Sequence, residues 1–394
     1  MQNNPVIVDI VRSPMGRGKA GGALSEMHPV DLLSQTLLAL LARNRFDPAL
    51  VDDVIIGCVT QAGEQAVPPG RSAWLAGNLP QHVPSTTVER RCGSSQQAIH
   101  FAAQGIAAGA YDIVIAGGIE SMSRVPMGSA RMGREPHGEG FGRRFPKGLV
   151  AQGVSAELIA ARWGISRLEM DEFSARSHRL AATSQETHGF DDEIVPIMTA
   201  AGLMTKDETI RPSTTAAALS KLKVAFEDPE LSARFPQIRW SVTAGNSSQL
   251  TDGAAAALLM SEAMANKLGL HPRARFVAFD VIADDPLLML TAPIPATRRI
   301  LEKAGLTVEQ IDQFEVNEAF ASVPLAWLRE LKADPQRLNP RGGAIALGHP
   351  LGASGVRLMA TLLNGLEQGG GRFGLQTMCE AGGQANAMLI ENLK

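Results

Sequence analysis

Val51-Asp52-Asp53-Val54-Ile55-Ile56 and Ile311-Asp312-Gln313-Phe314-Glu315-Val316 follow one pattern, an acid leading into a run that reads as a buried strand. Sliding the chain on itself by 260 residues, the step from Asp52 to Asp312, superposes them. The same step keeps three further elements in register without a gap. The helical run Leu37–Leu41 falls on Thr297–Leu301, the helix start at Ser94 on Ser354, and the strand Ile113–Ala116 on Phe373–Gln376. Identities are few, so the repeat is one of pattern. Each half alternates strands with helices, which implies mainly parallel sheets joined by right-handed crossovers.

Between the halves lies an insertion. Residues 1–118 and 242–265 are read as the first half, 119–241 as an inserted loop domain, and 266–394 as the second half. In the insertion, Arg124–Lys147 sets Arg124, Arg131, Arg134, Arg143, Arg144 and Lys147 against Glu135 and Glu139, with glycines throughout. It is expected to be a loop, either a solvated surface or a docking face for a phosphate-bearing ligand. Ala156–Trp163 and Arg167–His188 have helical spacing, Thr209–Leu222 is a polar connection, and Ala255–Met260 reads as helix or strand.

The chain has 394 residues, 45% hydrophobic and 20% charged, with formal net charge −3, which is ordinary for a soluble globular protein. The near-neutral balance argues against a dedicated nucleic-acid binder. Charged residues, glycine or proline break every candidate membrane span. The strand-like Val6–Ile10 at the N-terminus leaves no room for a signal peptide. Three cysteines without a close pair (Cys58, Cys92, Cys379) argue against a disulfide framework or a zinc site and point to the cytoplasm. Cys58 reads as a small apolar side chain at a strand end.

Reactive groups gather at related ends of the two halves. Arg90-Arg91-Cys92-Gly93-Ser94-Ser95 opens the helical run Gln96–Ala108, so Cys92 is placed at a helix N-terminus, where unpaired N–H groups favour a thiolate. Arg341–Gly355 has too many glycines for a regular element through its middle. It presents His349, fixed by Pro350, just before the helical run Val356–Leu366. Asn317 and Cys379 each end a strand. In α/β sheets ligands bind where carboxyl ends of strands meet helix N-termini, so Cys92, Asn317, His349 and Cys379 are expected to converge on one cleft. No dinucleotide fingerprint, Walker A motif or metal-spaced histidine cluster is present. Two thiols, an imidazole and an amide suit acyl transfer through a thioester.

The chain resembles the thiolase superfamily, specifically the acetyl-CoA acyltransferases (3-ketoacyl-CoA thiolases), over essentially its whole length. The motifs are Arg91–Ser95, Gly117–Ser123, Ala244–Ser248, Asn317–Phe320, Gly342–Gly355 and Thr377–Cys379. The resemblance implies an α/β fold of two βαβαβαββ halves in five layers (αβαβα) with an inserted loop domain, at least dimeric. It implies Cys92 as nucleophile, and His349 as the base that then holds the thioester oxygen together with a water on Asn317. Cys379 would protonate the acetyl-CoA enolate and deprotonate incoming CoA. A second oxyanion hole would use the N–H groups of Cys92 and Ala381. Ser248, Ala319 and Phe320 would contact the pantetheine arm. CoA would be a co-substrate, with no tightly bound cofactor and no metal.

Three departures stand out. Cys379-Glu380-Ala381 replaces a Cys-x-Gly pattern, and Ala disfavours positive φ. Ala151-Gln152-Gly153 stands where biosynthetic relatives resemble His-Met-Gly, and Leu290-Thr291-Ala292-Pro293 replaces a Gly-x-Gly-Pro segment. The expected activity is therefore degradative cleavage of 3-ketoacyl-CoA with a longer or bulkier acyl chain. Its alternatives are biosynthetic condensation of two acetyl-CoA and non-catalytic acyl-CoA binding. A homodimer or homotetramer is expected, the short Arg124–Lys147 segment leaning towards a dimer.

Overall fold

The computed structural model describes residues 3–394, which form twelve strands. The first six are β1 Pro5–Arg12, β2 Gly16–Arg17, β3 Asp53–Gly57, β4 Ser85–Val88, β5 Ile113–Ser121 and β6 Ile197–Thr199. The others are β7 Gly202–Met204, β8 Thr251–Ser261, β9 Ala274–Ala283, β10 Gln313–Val316, β11 Phe373–Glu380 and β12 Gln384–Asn392.

The main sheet has the order β10-β11-β12-β9-β1-β8-β5-β3-β4, with β2 on β8. The repeat is visible in it: β3-β5-β8-β1 of one half corresponds to β10-β11-β12-β9 of the other. The two meet only where Val6 and Ile7 pair with Arg275 and Ala274. The expectation of mainly parallel sheets is corrected. Only β3–β4, β3–β5 and β10–β11 are parallel, while β8 runs antiparallel to β5 and β1, and β12 antiparallel to β11 and β9. The turn between β11 and β12 explains the second case. Gly382 and Gly383 take φ of 94° and 81°, so the chain reverses at once into a hairpin, which only an antiparallel pair allows.

Alternation along the strands builds the layers. On β3, Val54 and Ile56 face Leu32, Leu33, Leu37 and Trp74 of the helices Pro29–Asn44 and Pro69–Ala76. Ile55 faces the opposite way, towards Ala98, Ile99, Val356 and Met359. On β12, Ala387 and Leu389 join Ile300 and Trp327 of the helices Pro293–Ala304 and Ser322–Leu331, while Met388 and Ile390 face the central helices. The central helices are Ser94–Ala107 and Ser354–Gly369. The order is helix, sheet, helix, sheet, helix, as expected.

The central helices cross closely at their N-termini. A Cβ on Gly355 would lie 2.2 Å from the Gln96 nitrogen, and the Val356 N–H donates to Ser95 Oγ at 3.1 Å. This crossing sets the two helix starts, and the loops before them, side by side.

Between β5 and β8 lie the helices Gln152–Trp163 and Arg167–Glu186, the β6–β7 hairpin, three shorter α-helices and a 3-10 turn at Ser129–Arg131. One of these, Glu139–Arg144, interrupts the segment expected as loop, with Glu139 in its first turn and Arg143 and Arg144 in its last, a charge order that suits the helix dipole. Another, Ala216–Leu219, lies in the expected polar connection, its first turn capped by Thr215. The insertion is tied to β1 through a buried pairing of Arg12 with Glu193 at 2.6 Å and Asp207 at 2.7 Å.

Candidate active site

Cys92 sits on a tight turn, one residue ahead of the Gly93 N-cap rather than inside the first turn of its helix. Arg91 holds the left-handed φ of 48°, a costly conformation for a residue with a Cβ. Ser94 closes the turn: its Oγ accepts from the Arg90 N–H at 2.9 Å and donates to the Arg91 carbonyl at 2.6 Å. Cys92 is buried against Leu351, Leu358 and Met378. Burial pushes its thiol well above the ordinary range, and the nearby Cys379 and Glu380 add to this. The expectation of a favoured thiolate is therefore corrected for the resting site. Desolvation outweighs the helix N-terminus, so a base must take the proton when substrate binds.

His349 lies between the one-turn helix Ala344–Leu347 and the central helix Ser354–Gly369. The single turn of helix is a difference from the sequence reading, in which the glycines excluded a regular element; Ala344–Leu347 is the longest glycine-free run there. Gly348, at φ 86°, is required, because a Cβ would lie 2.3 Å from Thr251 Oγ1. The His349 N–H donates to Thr251 Oγ1 at 3.0 Å. The ring is buried. Ser354 Oγ lies 2.6 Å from His349 Nδ1 and gives its own proton to the Pro350 carbonyl at 2.8 Å. A hydroxyl has one proton, so the arrangement that satisfies both contacts has Nδ1–H donating to Ser354 and Ser354 donating to Pro350. That tautomer leaves Nε2 as the basic atom. Burial, helped by the Arg357 charge, lowers the imidazole pKa to about 3, so His349 is neutral around pH 7.

Asn317 ends β10 and lies beside it. Its Nδ2 is 3.4 Å from His349 Nε2, and its buried Oδ1 has no protein partner. Cys379, near the end of β11, is buried, and its thiol is pushed up to about 12 by burial and then by Glu380. Ala381 is half-buried and does not take a positive φ; the left-handed positions fall on Gly382 and Gly383. The concern about an alanine there has no counterpart in the backbone.

Ser248 is half-buried, and its N–H donates to the Ala319 carbonyl at 2.9 Å. Ser247 pairs with Phe320 in an isolated bridge. The Ala244–Ser248 and Asn317–Phe320 motifs are thus laid side by side, with Ala319 and Phe320 mostly packed into the core. In the basic segment, Arg124 pairs with Glu64, while Arg131, Arg134, Arg144 and Lys147 are exposed.

Buried carboxyls missed in the sequence hold these loops. Glu120 accepts from the amides of Val59, Thr60 and Gly352, each at 2.9 Å, and so ties the histidine loop of one half to the strand ends of the other. Glu318 accepts from Ser177 Oγ at 2.7 Å, Asn339 Nδ2 at 2.9 Å and the Ile345 amide at 3.1 Å. Both belong to motifs already noticed, Gly117–Ser123 and Asn317–Phe320. An acid at the end of a buried strand was the available signal.

The arrangement offers a neutral imidazole base with an amide at its basic nitrogen, and two buried thiols close enough to perturb each other. Among the described residues, no group of His, Cys, Asp or Glu is placed to hold a metal ion, and no helix is long and apolar enough to cross a membrane.

Comparison with known proteins agrees with this geometry. The family profile for the thiolase N-terminal domain matches residues 5–263, and that for the thiolase C-terminal domain matches residues 270–392. The chain is 46% identical to the steroid 3-ketoacyl-CoA thiolase FadA6 of Mycobacterium tuberculosis, over 98% of this chain and 94% of that protein. It is 44% identical to a 3-ketoacyl-CoA thiolase of Serratia proteamaculans, over 99% of this chain and 100% of the other. The crystal structure of an acetyl-CoA acetyltransferase of Bacillus anthracis superposes with a TM-score of 0.88 at 38% identity, covering 100% of this chain and 99% of that one. Two family profiles end to end, and relatives matched over nearly their full length, establish that the chain belongs to the thiolase family.

Proposed function

We propose that the protein is an acyltransferase that cleaves a 3-ketoacyl-CoA with CoA, giving acetyl-CoA and a shortened acyl-CoA. The observation that carries this reading is the His349–Asn317 pair, in which Ser354 holds the imidazole with Nε2 basic. His349 takes the Cys92 proton and the sulfur attacks the 3-keto carbon. The bond between the second and third carbons then breaks, leaving an acyl-Cys92 thioester and the acetyl-CoA enolate. His349 and a water on Asn317 hold the enolate oxygen, a place where fixed dipoles count most. Cys379 gives the enolate its proton. The resulting thiolate deprotonates CoA, whose sulfur attacks the acyl group, while the N–H groups of Cys92 and Ala381 hold the oxyanion.

Two thiols in two roles need different surroundings. Cys92 precedes a helix cap and Cys379 ends a strand, which supports assigning them separately. CoA is a co-substrate, its pantetheine arm passing Ser248, Ala319 and Phe320. The acyl group is bulky or long. The departures at Ala151–Gly153 and Leu290–Pro293 support this, as does the likeness to a thiolase named for steroids. The working form is a homodimer or homotetramer in the cytoplasm.

The test is CoA-dependent cleavage of a series from acetoacetyl-CoA to long and ring-bearing 3-ketoacyl-CoA, beside Cys92→Ala. Turnover that rises with bulk, and falls by about 10⁴-fold or more in the variant, is expected. A preference for acetoacetyl-CoA would favour the biosynthetic direction. CoA binding without turnover on any substrate would overturn the enzyme assignment.

A further inference from the structure

The 260-residue step that relates the halves also brings Glu120 onto Glu380, and Gly352 onto Cys92. Both glutamates lie at the carboxyl ends of their strands, Glu120 one residue before the last of β5 and Glu380 last in β11, and both are fully buried. Their surroundings differ. Glu120 accepts from three amides, one of them the N–H of Gly352. Glu380, at the related place, faces the Cys92–Gly93 turn, and neither of its oxygens has a partner at full hydrogen-bond geometry, the nearest amide being that of Asn386. The contact is close, since a Cβ on Gly93 would lie 1.8 Å from Glu380 Oε1. The carboxyl fills the space that a side chain at Gly93 would take.

An ionised carboxylate cannot sit buried without hydrogen bonds or a counter-charge at low cost. The groups around Glu380 are Arg90 and Glu89 before the central helix, the thiols of Cys92 and Cys379, and Gln384 across the β11–β12 ladder. Arg90 is the only cation among them, and its Nη1 is engaged by Gln384 Oε1 at 3.2 Å. Burial pushes the Glu380 acid up to about 8, with Arg90 and the Asn386 amide pulling the other way and Glu89 reinforcing the rise.

We propose that Glu380 is a positioning residue for the two thiols: as the uncharged acid it supports the Cys92–Gly93 turn while leaving the Cys92 N–H free, and when ionised it suppresses both thiols. The suppression has two parts. A negative charge beside Cys92 and Cys379 disfavours either thiolate. A carboxylate at this position also competes for the turn's amides, as Glu120 does for the Gly352 amide. The site therefore carries its own alkaline limit, set by a group that touches no substrate. This rests on the reading of Cys92 and Cys379 as the working thiols.

The test is the rate of Cys92 alkylation by iodoacetamide, read on the Cys92 peptide by mass spectrometry from about pH 6 to about pH 10. This readout does not depend on turnover, so it stands even if the thiolysis reading fails. An isolated thiol gains about tenfold in rate per pH unit below its pKa. The wild-type protein is expected to follow that slope and then fall below it above about pH 8, while Glu380→Gln keeps the full slope throughout. Glu380→Met, which removes the ionisable group altogether, must behave like Glu380→Gln. Superposable profiles of wild type and either variant would overturn the proposal. So would a wild-type curve without a break, as an Arg90–Glu380 ion pair present at all these pH values would give.

Discussion

Glu120 and Glu380 occupy the same place in two copies of one architecture, and only one of them is satisfied. In the first half, three amides close around a carboxylate and the loop from the other half is locked in place. In the second half, the corresponding acid is left without partners beside the Cys92 turn. The same division runs through the related serines. Ser94 Oγ closes the Cys92 turn, whereas Ser354 Oγ fixes the tautomer of His349. A repeated fold supplies equivalent positions; hydrogen-bond satisfaction decides which become scaffold and which stay available for chemistry.

The contrast is broken most directly by truncating both acids. Glu120→Ala leaves the amides of Val59, Thr60 and Gly352, the last two buried, without their acceptor, and a loss of about 3–5 kcal/mol in unfolding free energy is expected. Glu380→Ala removes a group with no hydrogen bonds to lose, so urea denaturation should show a much smaller change. Equal losses would dissolve the distinction.

The glycines sharpen it next. At Gly352 an added Cβ would meet the Ile119 carbonyl oxygen at 2.4 Å, backbone that cannot step aside; at Gly93 it meets only the Glu380 side chain. Gly352→Ala should therefore act mainly on stability, by about 1–3 kcal/mol. Gly93→Ala should act mainly on rate, by about 10²-fold through displacement of Cys92. Denaturation and initial-rate measurements on the pair separate the two.

The serines come third. Ser354→Ala frees His349 Nδ1 and lets the wrong tautomer compete, and a loss of about tenfold in kcat with a small change in KM is expected. Ser94→Ala loosens the Cys92 turn and should change iodoacetamide reactivity at Cys92 without moving any pH break assigned to His349.

The last effect is a gradual one, a dependence of stability on pH. Glu380 has a folded-state pKa of about 8, above its unfolded value, so the folded chain holds a proton that the unfolded chain releases. Wild-type stability then falls with rising pH between about 4.5 and 8, by at most about 1.4 kcal/mol per unit from this group, and levels off above that window. Glu380→Gln lacks this dependence. The gap in melting temperature between variant and wild type should shift in the variant's favour from pH 5 towards pH 8; a constant gap would contradict a protonated acid.

Much of this arrangement was legible in the sequence because it rests on periodicity. Val54-Ile55-Ile56 and Phe314-Glu315-Val316 follow one pattern, and the offset they define carried Ser94 onto Ser354, while the five layers were implied by the family resemblance alone. The site thiols, imidazole and amide were legible because the topology puts strand ends and helix starts on one side. The strand directions were not, because Gly382 and Gly383 signal a turn without saying that it closes a hairpin. Nor were the roles of Glu120 and Glu318, since an acid reads as surface until its buried donors are seen. The resting state of Cys92 was misjudged for a related reason. Position relative to a helix is written in the sequence, whereas desolvation is a property of everything packed around it.

The crossing of the central helices also bears on how the chain can be divided. Residues 268–273 join the halves after the helix Glu262–Lys267, and a cut there would spare every strand. Yet each piece alone would open a layer lined by Ile7, Ile10, Ile55, Val356, Met359 and Ile390, which in the whole chain is buried. A fragment with so much apolar surface exposed is expected to aggregate, while the two expressed together have the complementary surface at hand. Heredity faces the same arithmetic. An ancestral single half would have met water on that face too, unless it was already one of a pair.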